Sequence, residues 1–148
     1  MTLSFVNVFF LLVLLIAPLN LSFAKKCVFS QKYEVHVINK LPANSSKLRL
    51  HCASKNTEIG DQILPINGDL NWSFCESFLD TTLYFCHFWW GPKDKSFDVF
   101  DDPTYCVKNG KNPNVLKYCK WEVREDGFYL EQYNARTSTY YMEKLEQW

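Results

Sequence analysis

Three histidines, His36, His51 and His87, are the side chains of this sequence best suited to acid–base or metal chemistry near neutral pH. Each falls in a stretch that alternates polar and apolar residues. His36 and His51 sit on the polar faces of two consecutive strand candidates, so adjacent strands would bring them together as a catalytic or metal site. An isolated histidine on a strand is far more often a surface or structural residue. A carboxylate cluster at Asp98, Asp101 and Asp102 has the composition for glycoside hydrolysis or for calcium ligation through oxygen. The same residues favour turns and a solvated loop entry, and no fuller motif surrounds them. H-E-x-x-H, G-x-S-x-G, Gly-rich phosphate loops and EF-hand spacings are all absent. No catalytic residue, cofactor site or metal ligand is therefore assigned, and the chain is read as a non-enzyme.

The other chemically distinctive residues are six cysteines: Cys27, Cys52, Cys75, Cys86, Cys106 and Cys119. No C-x-x-C pair seeds a zinc site, and an even count suits disulfides in an oxidising compartment. That compartment is indicated at the start of the chain. Phe5 to Ala17 is almost wholly apolar, Pro18 follows, and Ser22-Phe23-Ala24 has the small-x-small form that a signal peptidase accepts. Residues 1–24 are read as a signal peptide cleaved before Lys25, and residues 25–148 as one secreted domain. The apolar run is too short for a membrane anchor, and no later stretch would insert in a bilayer. Two sequons follow the cleavage site, Asn44-Ser45-Ser46 and Asn71-Trp72-Ser73, and mark Asn44 and Asn71 for glycosylation. With 16 basic and 16 acidic side chains the protein has no net charge. That argues against a nucleic-acid partner.

The elements that must carry these residues have a period of two. Tyr33, Val35 and Val37 alternate with Glu34 and His36; Leu48, Leu50 and Cys52 alternate with Lys47, Arg49 and His51. Gln62–Ile66 is a short strand candidate, and Asn67-Gly68 reads as a hairpin turn into a strand with Leu70, Trp72 and Phe74 inward. Thr81–Trp90 is aromatic and apolar on both faces, as in a central strand buried on both sides. Gly91-Pro92 stops it, and a shorter strand follows at Phe97 and Val99. Residues 101–114 read as a long polar loop stapled by Cys106. Cys119, Trp121 and Val123 alternate next, and Asp126-Gly127 turns the chain back through Phe128, Tyr129 and Leu130. The last dozen residues form a final strand or a docked tail.

The pattern predicts an all-β fold: a small, disulfide-stapled, immunoglobulin-like β-sandwich of about seven short antiparallel strands. Phe85, Phe88, Trp89 and Trp90 are read as core, with stacking on sugars as the rival use. On the assigned faces Cys52 and Cys119 both point inward and would bridge the sheets. Cys27 and Cys75 lie away from the core and pair naturally, which leaves Cys86 with Cys106.

Ordered blocks along the chain then resemble a known family. They are Val35-His36-Val37-Ile38-Asn39, Leu50-His51-Cys52-Ala53-Ser54-Lys55, Ile59-Gly60, Trp72-Ser73-Phe74, Thr82-Leu83-Tyr84-Phe85-Cys86 and Phe97-Asp98-Val99-Phe100. Cys106, Cys119-Lys120-Trp121 and Glu125-Asp126-Gly127-Phe128-Tyr129 complete the set. Together they resemble the plant self-incompatibility proteins typified by the pistil-secreted proteins of poppy. Cys52, Cys86, Cys106 and Cys119 match the family's usual four cysteines; Cys27 and Cys75 are an additional pair. The resemblance implies a secreted β-sandwich acting as an extracellular ligand for a plant cell-surface receptor. Because binding residues concentrate on the loops of rigid scaffolds, the candidate recognition residues are Leu41, Asn44 and Ser46 in one loop and Asp101, Asp102, Tyr105, Lys108 and Asn114 in another. A carbohydrate-binding cell-wall module is the alternative, and a secreted hydrolase built on His36 and His51 ranks third.

Overall fold

The computed structural model describes Cys27 and residues 30–77, 82–101, 117–134 and 136–148. These form nine strands and no helix: β1 Lys32–Asn39, β2 Leu48–Ala53, β3 Glu58–Leu64, β4 Asp69–Cys75, β5 Tyr84–Trp90, β6 Lys93–Phe100, β7 Tyr118–Arg124, β8 Gly127–Asn134 and β9 Thr139–Glu146. One sheet has the order β4-β1-β7-β8-β9, the other β3-β2-β5-β6. The all-β sandwich expected from alternation is present, with nine strands where about seven were expected. The pairing is antiparallel except between β1 and β7, which run parallel.

The buried faces follow the period of two. Tyr33, Val35 and Val37 from β1, Leu48, Leu50 and Cys52 from β2, and Trp121 and Val123 from β7 fill the space between the sheets. Phe97 packs against both Trp121 (5.0 Å between ring centroids) and Phe128 (4.9 Å), and Phe128 against Phe88 (4.8 Å). The Trp121 indole donates to the Val99 carbonyl at 2.9 Å, which ties the five-stranded sheet to the four-stranded one and satisfies the only polar atom of that ring.

Several local readings change. Asn67-Gly68 does not close a hairpin, because β3 and β4 lie in different sheets. The Gly68 amide donates to the Pro65 carbonyl at 2.8 Å, and Asn67 has φ 60°. Positive φ at the third residue is the type II pattern, which here carries the chain across the sandwich. Gly91-Pro92, read as a stop, is a hairpin turn: Trp90 pairs with Lys93, and β6 starts four residues before Phe97. β5 is central, but only one of its faces is fully buried; Phe85, His87 and Trp89 are half-buried on the outer face. The β7–β8 hairpin is present but its turn is Glu125-Asp126, one residue before the Asp126-Gly127 expected, with Arg124 paired to Gly127 at the start of β8. The last segment is the strand β9.

The disulfides also differ from the face-based reading. Cys27 bonds Cys75. Cys52 bonds Cys86, so neither Cys52–Cys119 nor Cys86–Cys106 forms. The reason is register: Cys86 on β5 lies directly opposite Cys52 on β2, on the same inward face, with 4.2 Å between Cα atoms. A neighbour within the sheet therefore takes the bond that two inward-facing cysteines on opposite sheets were expected to share. Cys119 is disulfide-bonded to a residue outside those described.

Candidate recognition site at one end of the sandwich

The strand directions gather four connections at one end of the sandwich. They are the β1–β2 loop (residues 40–47), the Pro65–Gly68 turn, the Gly91-Pro92 turn and the Glu125-Asp126 turn. Asn39 binds them into one body. It is the fourth inward position of β1 after Tyr33, Val35 and Val37, so alternation buries it to 1 % exposure. Its side-chain amide donates to the Leu64 carbonyl at the end of β3 at 2.8 Å. Its side-chain oxygen accepts from the Leu41 amide at 3.0 Å. The Asn39 backbone amide donates to the Gly68 carbonyl, and the Asn67 amide donates to the Asn39 carbonyl. One residue thus links β1, the β1–β2 loop and the β3–β4 turn, with every polar group satisfied.

The β1–β2 loop is built outward from that pin. The Lys40 amide donates to the Val123 carbonyl at 2.9 Å, and the Lys40 ammonium donates to the Asn67 side chain at 3.0 Å. Leu41, expected among the contact residues, is 3 % exposed and packs in the core, so it anchors the loop and offers no side chain to a partner. The chain then turns, with the Ser45 amide on the Pro42 carbonyl, and leaves Pro42, Ala43, Asn44, Ser46 and Lys47 exposed. Beside it, Trp148 packs on Phe128 (4.6 Å) and Trp90 (5.6 Å) and donates its indole N–H to the Arg124 carbonyl at 2.8 Å.

The second candidate loop does not join this site. Asp101 follows Phe100, and Phe100 pairs with Tyr84 at the opposite end of the sandwich, where β7 begins at Tyr118. Asp101 is exposed there, while Asp102, Tyr105, Lys108, Asn114 and Cys106 lie outside the described residues. The sequons separate as well. Asn44 is exposed on the β1–β2 loop; Asn71 is exposed on the outer face of β4, opposite His36 in register.

His36 and His51 do not meet, since β1 and β2 belong to different sheets and each histidine points outward from its own. The register instead sets His51 opposite His87 on the outer face of the four-stranded sheet. There each is held by carboxylates: His51 Nε2 lies 3.1 Å from Glu58 and His87 Nε2 3.0 Å from Asp94. His36 Nδ1 is 2.8 Å from Asp69. Among the described residues no group of three or more His, Cys, Asp or Glu side chains is arranged to hold a metal. Asp98 sits near Asp101, and burial first, then the Asp101 charge, raise its carboxyl pKa above the ordinary value. Of the aromatic run read as core, only Phe88 and Trp90 face inward; Phe85 and Trp89 lie half-buried on the outer face of β5. Phe88 is core, Trp90 packs on Trp148, and Trp89 is stacked on His87 at 4.0 Å with the Arg49 guanidinium 4.7 Å from its ring centroid.

At the β7–β8 turn the Asp126 carboxylate accepts from the Tyr129 hydroxyl at 2.7 Å and from the Lys144 ammonium at 3.0 Å. The Tyr129 bond, then the Lys144 bond, hold its pKa below the usual carboxylate value. A carboxyl depressed in the folded chain contributes stability that is complete above the unfolded pKa and is lost as pH falls through the folded one. Asp126→Asn is therefore expected to lower the melting temperature slightly at neutral pH and to match the parent protein in strong acid. Melting curves recorded across that range check this; an unchanged gap at every pH would contradict it.

Comparison with known proteins fixes the family. The profile described as plant self-incompatibility protein S1 matches residues 34–148. The chain belongs to this family. Self-incompatibility protein S1 of Papaver rhoeas is 27 % identical over 141 residues, covering 95 % of each chain. S-protein homolog 18 of Arabidopsis thaliana is 32 % identical over 122 residues, covering 80 % of this chain and 84 % of the homolog. S-protein homolog 4 of the same plant is 36 % identical over 97 residues, covering 65 % of this chain and 61 % of the homolog. A solved structure of SPH (self-incompatibility protein homologue) proteins, small, highly stable and secreted from plants, superimposes with a TM-score of 0.54. It is 19 % identical, covers 81 % of this chain and 96 % of that one, and shares the fold. The family is one of secreted plant proteins. Family membership explains why the ordered blocks map onto the frame. Val35–Asn39, Leu50–Cys52 and Cys119–Trp121 supply the core and its pins, and the exposed part of the β1–β2 loop lies outside every block.

The residue that sequence reading quoted but gave no role is Asn39. The signal was present: a polar side chain on the inward phase of an otherwise apolar strand face.

Proposed function

We propose that the mature protein is an extracellular ligand read by a plant cell-surface receptor, and that the exposed β1–β2 loop is its main contact. The observation behind this reading is the Asn39 pin. It fixes the first end of a short loop and ties it to the end of β3 in the other sheet, while Pro42, Ala43, Asn44, Ser46 and Lys47 stay exposed. A loop held in this way loses little conformational freedom on binding, which favours affinity. The role is non-catalytic, and recognition and not turnover is what the frame supports. Cleavage before Lys25 delivers the domain to the outside, and glycans at Asn44 and Asn71 belong to the same reading. A glycan on Asn44 would form part of the contact surface.

The test is binding of labelled, purified mature protein to intact plant cells. Saturable binding that excess unlabelled protein displaces, and that polysaccharide preparations from the cell wall do not, is the expected result. Binding that never saturates, or that wall polysaccharide alone removes, would sink the receptor reading. Mass spectrometry of the secreted chain gives its first residue and the mass added at each sequon.

A further inference from the structure

A sandwich of two open sheets has four edge strands, each with a row of backbone groups free to pair with another chain. Here they are β4 and β9 in one sheet and β3 and β6 in the other. Three are blunted. β4 carries the Asn71 sequon on its outer face, and its last residue is tied to Cys27. β3 has exposed Glu58 and Asp61, Gly60 at φ +88°, and an irregular register against β2. β6 carries Lys93, Asp94, Lys95 and Asp98 and shifts register against β5.

β9 differs. Thr139-Tyr140-Tyr141-Met142 has no charge, and its pairing with β8 is regular until the shift at Phe128 and Tyr129. Tyr140 is 55 % and Tyr141 50 % exposed, so both faces of this half-strand are open to solvent. Among the described residues nothing pairs with its outer edge.

We propose that β9 pairs antiparallel with β9 of a second copy, about a two-fold axis through Met142, to form a continuous ten-stranded sheet. The sequence complements itself in that register. On the outer face Tyr140 of each copy meets Lys144 of the other, whose ammonium also donates to Asp126 at 3.0 Å, and on the inner face Tyr141 meets Glu143. An ammonium near an aromatic face and a phenol hydroxyl near a carboxylate are both favourable pairs. Moving the axis to Glu143 would oppose two carboxylates, and moving it to Lys144 two ammonium groups, which is destabilising. An axis at Tyr141 shortens the ladder and gives up both cross-pairs. An extended segment of a different protein is the competing occupant of this edge.

Sedimentation of the secreted mature protein over a wide concentration range tests the proposal. The parent protein should rise towards twice the monomer mass as concentration increases. Met142→Lys, which places two ammonium groups on the axis, and Met142→Glu, which places two carboxylates there, should each stay monomeric. An equimolar mixture of the two should recover the dimer, because the axis then pairs opposite charges. Melting curves confirm that each variant is folded; Met142 is only half-buried, so both should be. A parent protein that stays monomeric at the highest concentration overturns the proposal. So does a Met142→Lys chain that associates as the parent does, or a mixture no more associated than its components.

Discussion

Asn39→Ala is expected to destabilise the domain by about 3 kcal/mol, the cost of leaving two buried backbone groups without partners. The Leu64 carbonyl loses its side-chain donor and the Leu41 amide its acceptor, and water has no access to replace either in a residue 1 % exposed. For a chain of this size the melting temperature should fall by roughly 10 °C. Asn39→Asp should be as harmful near neutral pH, because a carboxylate cannot donate to Leu64 and its charge would be buried. Urea titration measures the loss; under about 1 kcal/mol would show that the pin is not structural. The same substitution should loosen the β1–β2 loop selectively. Amide exchange at Leu41 and residues 43–47 should quicken more than exchange at Trp121 or Val123, which retain their own packing.

Removing both sulfurs of the Cys52–Cys86 bond, as Cys52→Ala with Cys86→Ala, is expected to cost about 2–5 kcal/mol. The bond closes 34 residues of chain between two fully buried positions, and its loss frees the unfolded state while leaving a cavity in the core. Part of the constraint remains, because β2 and β5 pair along their whole length. The variant should therefore fold at low temperature and lose its margin on heating. A peptide map of the unreduced parent protein checks the connectivity independently: Lys55 separates Cys52 from Cys86 for trypsin, and chymotrypsin cuts between Cys75 and Cys86, which share a tryptic peptide. A Cys52–Cys119 peptide would contradict the structure.

Those two residues also show how far the sequence could be read. Alternation placed the inward faces of β1, β2, β4 and β7 because each has one face in the core and one in solvent. It buried Cys52 correctly but could not choose its partner. The partner depends on the register between β2 and β5, which the spacing of residues along one chain does not encode. β6 was cut short because Lys93-Asp94-Lys95-Ser96 carries charge on an edge strand, where solvent tolerates it on both faces. The Asn67-Gly68 turn carries hairpin residues but is used to change sheets. The parallel pairing of β1 with β7 joins segments far apart in sequence, and no local signal reports it. Leu41 was misjudged because a single apolar residue at a loop entry looks exposed until the core beneath it is known. His36 and His51 looked like neighbours because their strands are consecutive, yet the fold sends consecutive strands to opposite sheets.

The fold and the family were thus legible in period and ordered blocks. The placement of the loops was not. Only strand direction separates the β1–β2 loop from Asp101, and direction follows from the topology of the two sheets.

Exchange of Pro42–Lys47 for the corresponding segment of a family member tests the central claim most directly, with binding to intact plant cells as the readout. The Asn39, Leu41 and Leu48 anchors stay in place, so the melting temperature should change by no more than about 3 °C. Displacement of the labelled parent protein by the exchanged chain should be lost, while the parent protein competes fully. Equal competition by the two proteins would place recognition elsewhere on the sandwich and contradict the account.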